Sequence, residues 1–563
     1  MKLFISIILI FFYFNLPVFA GYPIVRNFTG NIYKSGAQNW AISQHESNIM
    51  YFANNSGLLE FDGKKWRTYP IANITKLRSV LCAPDGKIYV GASNELGYYQ
   101  KLSNGQLGYH SLVSKIDGNF RNFDDVWNIH RAGEKMYFQT DRSIFRYDGD
   151  TIEHLPFDDK INASAIVHDV FFVAGIQKGA FMLNGDFFIR VPGAEILTKK
   201  KIVAILPFQG DRVLFVTNFH GVYLFDGISV VPYVTGIDDF LKNNQVFSAA
   251  TNGKLLVFGT VQRGIAVMDI VEGTTVYANS YLGLQNNTVL SVAFDRQQNL
   301  WLGLDKGIDY VLLNTSISNI FGSNNLYGSG YTSLLKDGKI YFGTNQGLYT
   351  ASYPLVNVPE PLRLKLVKRM EGQVWNLTEI DNTLFCGSDM GAFIVYSDRA
   401  ERIPQLQGTW SFKRLISRPD LILGCSYHGL FILKKTKNTW VFSHFLKGNF
   451  AETSPMFEEN EDGSIWFSHW QKGMFRLYLN DKKDSIARVD LYGPDKGFPT
   501  NQNNTLYRVQ NKIVFSSEYG FYLYNKQTDQ MEPYEALNRL FVSPPNSIRL
   551  HESKNGDIWC VSG

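Results

Sequence analysis

At 563 residues the chain is too long for a single core, since cores stop growing near about 250–300 residues, and two large units fit it. Its 45% hydrophobic and 15% aromatic residues, with 48 glycines, exclude disorder and suit many short strands joined by tight turns. A formal charge of +4, with no basic run beyond Lys199-Lys200-Lys201, leaves no footprint for nucleic acid or an anionic membrane surface.

Lys2 precedes an apolar run from Leu3 to Phe14, and Val18-Phe19-Ala20 supplies small residues where a signal peptidase reads. Residues 1–20 are therefore read as a cleaved secretory signal. The apolar run is shorter than the roughly 20 residues a spanning helix needs, and no later segment is long and apolar enough. The mature chain is expected to be exported and soluble in the periplasm, with any membrane contact made through segments absent from it. Cys82, Cys386, Cys425 and Cys560 lie in or beside apolar β-like runs, without C-x-x-C spacing. They are expected to be buried small hydrophobes rather than a disulfide framework or metal ligands.

From Gly21 onward one pattern recurs: a turn such as Asp-Gly, a run of Ile or Leu with Trp or Tyr, a few polar residues, then Gly and a second apolar run. Clear copies run from Asn299-Leu300-Trp301-Leu302-Gly303 to Gly307, from Asp337-Gly338-Lys339-Ile340-Tyr341-Phe342-Gly343 to Gly347, and from Asp462-Gly463-Ser464-Ile465-Trp466-Phe467 to Gly473. Weaker copies are anchored at Gly57, Gly97, Gly179, Gly221, Gly264, Gly391, Gly429 and Gly520, and one at Ser143-Ile144-Phe145 lacks the glycine. The anchors fall 36 to 47 residues apart, close to the ~40–50 residues of a four-stranded propeller blade.

Asp-Gly between apolar runs favours hairpin turns, and Trp, Tyr, Ile and Val suit a pleated, half-buried surface. The stretch before each turn, such as Val289 to Phe294, is expected to be the innermost strand, followed by the Ile-Trp run, the run after the glycine and a variable outer strand. Propellers close with four to eight blades, so about a dozen copies predict two rings. The fold class is therefore all-β, two tandem β-propellers of about seven blades each: residues 21–315 form the first, and residues 316–563 the second, expected to be incomplete at its C-terminal end. The boundary is placed between Asn314 and Asn325, where Asn, Ser and Gly gather.

These repeats resemble those of the two-component regulator propeller family, which read approximately D-G-x-I-W-x-G followed by a G-hydrophobic run. The segment Tyr22-Pro23-Ile24-Val25-Arg26-Asn27-Phe28, with Gln38-Asn39-Trp40 and Gly57-Leu58-Leu59-Glu60-Phe61-Asp62-Gly63, is similar to the start of members from polysaccharide-degrading gut bacteria. The resemblance implies the periplasmic sensor region of a hybrid two-component or triple-tyrosine LuxR-type regulator, with membrane helix and output domain lying beyond these residues. It implies regulation of transcription in response to a small ligand, an oligosaccharide being the expected class. A homodimer is the expected assembly.

Loops joining the second and third strands of each blade gather on one face of a propeller, a common place for ligands. Here they include Asn218-Phe219-His220, Tyr427-His428 and His469-Trp470-Gln471. Aromatic faces and imidazoles can stack on a sugar and bond its hydroxyls, so Tyr427, His428, His469 and Trp470 are the candidate ligand-binding residues, against the simpler reading of ordinary loop or contact residues. Trp40, Trp127 and Trp375 recur where innermost strands begin, which assigns them to core packing, with the lining of a channel mouth as the alternative. The pairs Asp124-Asp125 and Asp238-Asp239 invite comparison with a glycosidase, but neighbours on a strand point to opposite faces, and turn or cap roles fit better. There is no phosphate loop, zinc motif or nucleophile elbow, and no catalytic residue, metal or cofactor is assigned. An exported lyase or glycosidase, and a secreted protein-binding scaffold, remain the alternatives to a sensor.

Overall fold

The computed structural model describes residues 21–71, 75–315, 317–321, 326–355, 359–360, 362–437, 439–541, 548–553 and 555–562. The expected signal sequence lies outside them. The described residues up to 321, with 355, 359, 360 and 362, form one compact unit, and residues 326–354 with those from 363 onward form a second.

The first unit consists of seven four-stranded antiparallel sheets. Their innermost strands are Asn39–Gln44, Leu77–Cys82, Asn128–Ala132, Ile161–Val167, Ile202–Phe208, Val246–Thr251 and Val289–Phe294, and each sheet runs outward from its innermost strand. The seventh sheet follows Val289–Phe294 with Leu300–Leu304 and Ile308–Leu312, then takes its outer strand from the start of the chain: Ile24–Phe28 pairs antiparallel with Ile308–Leu312, Phe28 opposite Ile308. The innermost strands pack in cyclic order, the last against the first, so the unit is a closed seven-bladed propeller. Its cores lie between neighbouring sheets. At the junction of blades seven and one, Phe28, Phe52, Phe61 and Trp301 are buried together, Phe28 stacking on Trp301 at 5.7 Å.

Two short-side-chain devices hold neighbouring blades close. Gly303 ends the Trp301 run, and a Cβ there would overlap the backbone of Asn39 in blade one, so the small residue that closes the repeat is demanded by the next blade. Serines on innermost strands donate to the carbonyl at the start of the following innermost strand: Ser79 to Val126 at 2.7 Å, Ser248 to Val289 at 3.1 Å, and Ser291 to Asn39 at 3.2 Å across the closure.

The second unit has the same construction. Four-stranded blades begin on Gly330–Lys336, Val374–Ile380, Thr409–Arg414, Phe457–Glu459 and Thr505–Val509, the outer strands of the first two meeting in parallel at Lys368 and Arg399 so that these blades share one eight-stranded sheet, and Ile548–Glu552 pairs with Ile558–Ser562 in a two-stranded sheet. Ser411 repeats the stitch by donating to the Pro455 carbonyl at 2.8 Å. The chain is all-β, and its strands follow the inner-to-outer order expected from the repeat. The cysteine expectation needs one correction. All four thiols are free, Cys386 and Cys425 are buried and Cys82 is half-buried, but Cys560 is exposed because it lies on the second strand of the two-stranded sheet rather than inside a blade junction.

Candidate functional site at the axial mouth of the second unit

In nine blades the innermost strand carries an extra residue at its second position, where the register with the next strand shifts. A bulge re-aims the side chain it carries. In the first unit these positions hold Trp40, Arg78, Asn162, Val203, Phe247 and Leu290, and in the second Tyr331, Trp375 and Trp410. Trp40 of blade one reaches Trp127 of blade three (5.9 Å) and Phe247 of blade six (6.4 Å). Rings from blades that are not neighbours can meet only at the axis. Trp40 and Trp127 are therefore axial side chains, not parts of the cores between blades where their place in the repeat had put them.

The two mouths differ in how their indole N–H groups are satisfied. In the first unit the Trp40 indole N–H donates to Asn55 Oδ1 (3.0 Å) and that of Trp127 to Asp141 Oδ1 (2.9 Å). The Arg78 guanidinium lies over both indoles, at 4.3 and 5.1 Å, and pairs with Asp125 at 2.9 Å. Both indoles are thus hydrogen-bonded within the protein, while Arg78 Nη1 and the side-chain amide of Asn162, another of these bulge positions, are buried without a hydrogen-bond partner among the described residues. In the second unit Tyr331 stacks on Trp375 at 5.1 Å, Trp375 meets Trp410 at 5.3 Å, and Trp410 meets Tyr427 at 5.2 Å. Neither the Trp375 nor the Trp410 indole N–H has a hydrogen-bond partner among the described residues, although both atoms are buried. An unmade hydrogen bond at a buried donor costs about 1–3 kcal/mol, so this arc carries an unspent capacity to bind something polar.

Tyr427 is held in the arc from beneath. Its N–H donates to the Gly408 carbonyl at 2.8 Å, and its ring lies so close over Gly408 that a Cβ there would overlap it; Gly408 also has a φ of +49°. Tyr427 is 44% exposed, which leaves the other face of the ring open.

The four candidate ligand-binding residues are not brought to one point. His428 turns away from Tyr427: its Nε2 lies 3.4 Å from Gln407 Oε1 and its ring faces Phe445 of the outer strand at 6.4 Å. Gln407, with Arg402, Pro404 and Gln405, lines an open cavity of about 410 Å³. His469 Nδ1 accepts from the Gln471 and Lys472 N–H groups, both at 3.2 Å, and its Nε2 lies 3.4 Å from Glu452, which also pairs with Lys472 at 2.7 Å. Trp470 is 63% exposed, and its carbonyl accepts from the Asn503 N–H. Tyr427 alone of the four joins the axial arc, with Trp375, while Tyr331 and Trp410 escaped the sequence reading.

The other singled-out residues have local tasks. His220 donates its N–H to Thr217 Oγ1 in its turn. Asp124 is exposed with a φ of +63°, and Asp238, opening the helix Asp238–Asn243, accepts from the Thr235 and Gly236 N–H groups.

Solved structures share this architecture. One is the extracellular domain of a protein described as a hybrid two component system of B. thetaiotaomicron, 16% identical, aligned over 96% of this chain and 76% of that one with a TM-score of 0.67. The chain shares the fold of that extracellular domain. Two others are the extracellular domain of a protein of the same organism described as a one component system (14% identity, 97% and 82% covered, TM-score 0.43) and a streptogramin B lyase (13%, 52% and 98%, 0.42). No protein-family model and no curated protein matches the sequence. The fold likeness agrees with the propeller architecture that the D-G-x-I-W repeats predict. Among the described residues no helix is long and apolar enough to cross a membrane.

Proposed function

We propose that this chain is the ligand-sensing region of an envelope signal-transduction protein, exported to the periplasm, which regulates transcription in response to an oligosaccharide. The observation that carries the reading is the arc Tyr331-Trp375-Trp410-Tyr427 at the mouth of the second unit, with its two unpaired indole N–H groups. Apolar faces of sugar rings stack on such an arc, and their hydroxyls can take the N–H bonds once the indoles adjust. The likeness in fold to an extracellular domain of a two component system, and the resemblance of the repeats, support attaching this site to signalling. These residues bind rather than turn over their ligand, which acts by favouring one arrangement of a homodimer over another, and the membrane helix and output domain belong to further segments.

The test compares transcript levels in the native host, with and without the protein, across a panel of polysaccharide carbon sources. Induction of a set of carbohydrate-uptake genes on one polysaccharide, lost when the protein is absent, is the expected result. Unchanged transcripts on every source, or cleavage of the sugar by the purified protein, would contradict it.

A further inference from the structure

At the Tyr427 end of the aromatic arc, the turn that carries Tyr427 faces the loop leading into the strand Thr409–Arg414 across two successive contacts. Tyr427 lies over Gly408, its N–H donating to the Gly408 carbonyl at 2.8 Å. One residue on from Tyr427 and one back from Gly408, His428 Nε2 lies 3.4 Å from Gln407 Oε1. Consecutive Cα atoms are about 3.8 Å apart, so this polar pair begins where the Tyr427 ring ends. Gln407 also lines, with Arg402, Pro404 and Gln405, the open cavity of about 410 Å³. That volume lies in the range of small-ligand sites, about 300–1,000 Å³.

Both segments are pinned while their side chains stay available. Ile403 and Leu406 are buried, the Ile403 N–H donates to the Ala392 carbonyl at 2.8 Å, and Arg402 Nη2 donates to the Leu406 carbonyl at 2.9 Å, which fixes the loop that presents Gln405 and Gln407. On the facing turn the His428 N–H donates to Ser426 Oγ at 3.2 Å, and that hydroxyl donates to the Gly429 carbonyl at 3.1 Å. Gln405, Gln407 and His428 are exposed. The Gln407–His428 contact is longer than a full hydrogen bond, so both groups keep capacity to bond something else. Two primary amides and an imidazole offer donors and acceptors together, as neighbouring hydroxyls of a sugar ring require, and the open face of Tyr427 supplies the apolar contact beside them. The cavity lining holds no carboxylate that would favour a cation.

We infer that Gln407 and His428, with Gln405 at the cavity wall, form a second saccharide subsite beside Tyr427, so that the bound chain runs from the arc across the Tyr427 ring to this cavity. The inference rests on the reading of the arc as a sugar-binding surface and adds a direction and a minimum length to it. One sugar residue occupies the arc and the next lies against the Gln407–His428 pair; a monosaccharide reaches only the first.

The test is calorimetric titration of the full-length protein with the mono-, di- and trisaccharides of the α-glucan, β-glucan, mannan, xylan, galactan and arabinan series. In the series that binds, the disaccharide is expected to bind about ten or more times tighter than the monosaccharide. Gln407→Ala and His428→Ala, both at exposed positions outside the core, should each shrink that advantage by a factor of about 3–10, the loss of one hydrogen bond. Trp410→Phe, by contrast, should weaken both lengths alike. Equal affinity for mono- and disaccharide, or an advantage that survives both alanine variants, overturns the second subsite, and a Trp410→Phe effect on the same samples leaves the arc standing. Absence of binding by every series counts against the arc itself, and the subsite falls with it.

Discussion

Trp410 lies between two aromatic neighbours, Trp375 at 5.3 Å and Tyr427 at 5.2 Å, with its indole N–H buried and unpaired. Replacing it by Phe keeps a ring in the arc and deletes the unsatisfied donor. Trp410→Phe is therefore expected to raise the Tm of the free protein slightly and to weaken sugar binding several-fold, as read by thermal unfolding and calorimetry. Gly408→Ala acts from the other side. Its methyl collides with the Tyr427 ring at a φ of +49°, so both stability and sugar affinity should fall. In the first unit, burial holds the His130 imidazole at about 4, below its ordinary 6.5, with Nε2 2.8 Å from Ser164 Oγ. The folded protein keeps His130 neutral where the unfolded chain would protonate it, so this residue contributes stability above pH 6.5 that is lost as pH falls toward 4. His130→Gln should flatten that part of the Tm–pH curve; an unchanged slope would remove His130 as its cause.

At the scale of the element, the strand Ile24–Phe28 closes the first ring by completing the blade of Val289–Phe294. Phe28 is 4% exposed among Phe61, Trp66 and Trp301, so Phe28→Ala should cost about 3–5 kcal/mol, visible as a lower Tm in one unfolding transition. The blade itself was legible in the sequence because Asp-Gly turns and Ile-Trp runs are local chemistry. The closing pair was not: Phe28 and Ile308 are 280 positions apart (308 − 28), and no local periodicity joins them. The bulge was hidden for a related reason. Alternation of period two predicts that Trp40 or Trp375 follows its neighbours into a core, and an inserted residue breaks that parity and sends the ring to the axis. Tyr427 and His428 were expected to act together because they share a turn, yet one side chain faces Trp410 and the other Phe445. Trp410 carried a usable signal, since Thr409-Trp410-Ser411 stands in its blade as Val374-Trp375-Asn376 stands in the one before.

Across the whole molecule, one structural position serves two ends. The axial bulge of the first unit holds Trp40 and Arg78 in contacts with Trp127, Asn55 and Asp125, while that of the second holds aromatic residues whose indole donors are unpaired. Trp40→Ala is therefore expected to lower the Tm and leave sugar affinity within about a factor of two, the opposite balance from changes in the Trp375-Trp410 arc. The most direct test of the central claim is a thermal-shift screen of the full-length protein and its Trp410→Phe and Trp40→Ala variants against plant, host and microbial oligosaccharides, with product analysis on the same samples. A ligand that binds only the native state raises Tm in a saturable way by mass action. The expected result is such a rise with one intact sugar class, reduced in Trp410→Phe and kept in Trp40→Ala; a rise that depends on Trp40 and ignores Trp410, or sugar recovered as cleaved product, would contradict it.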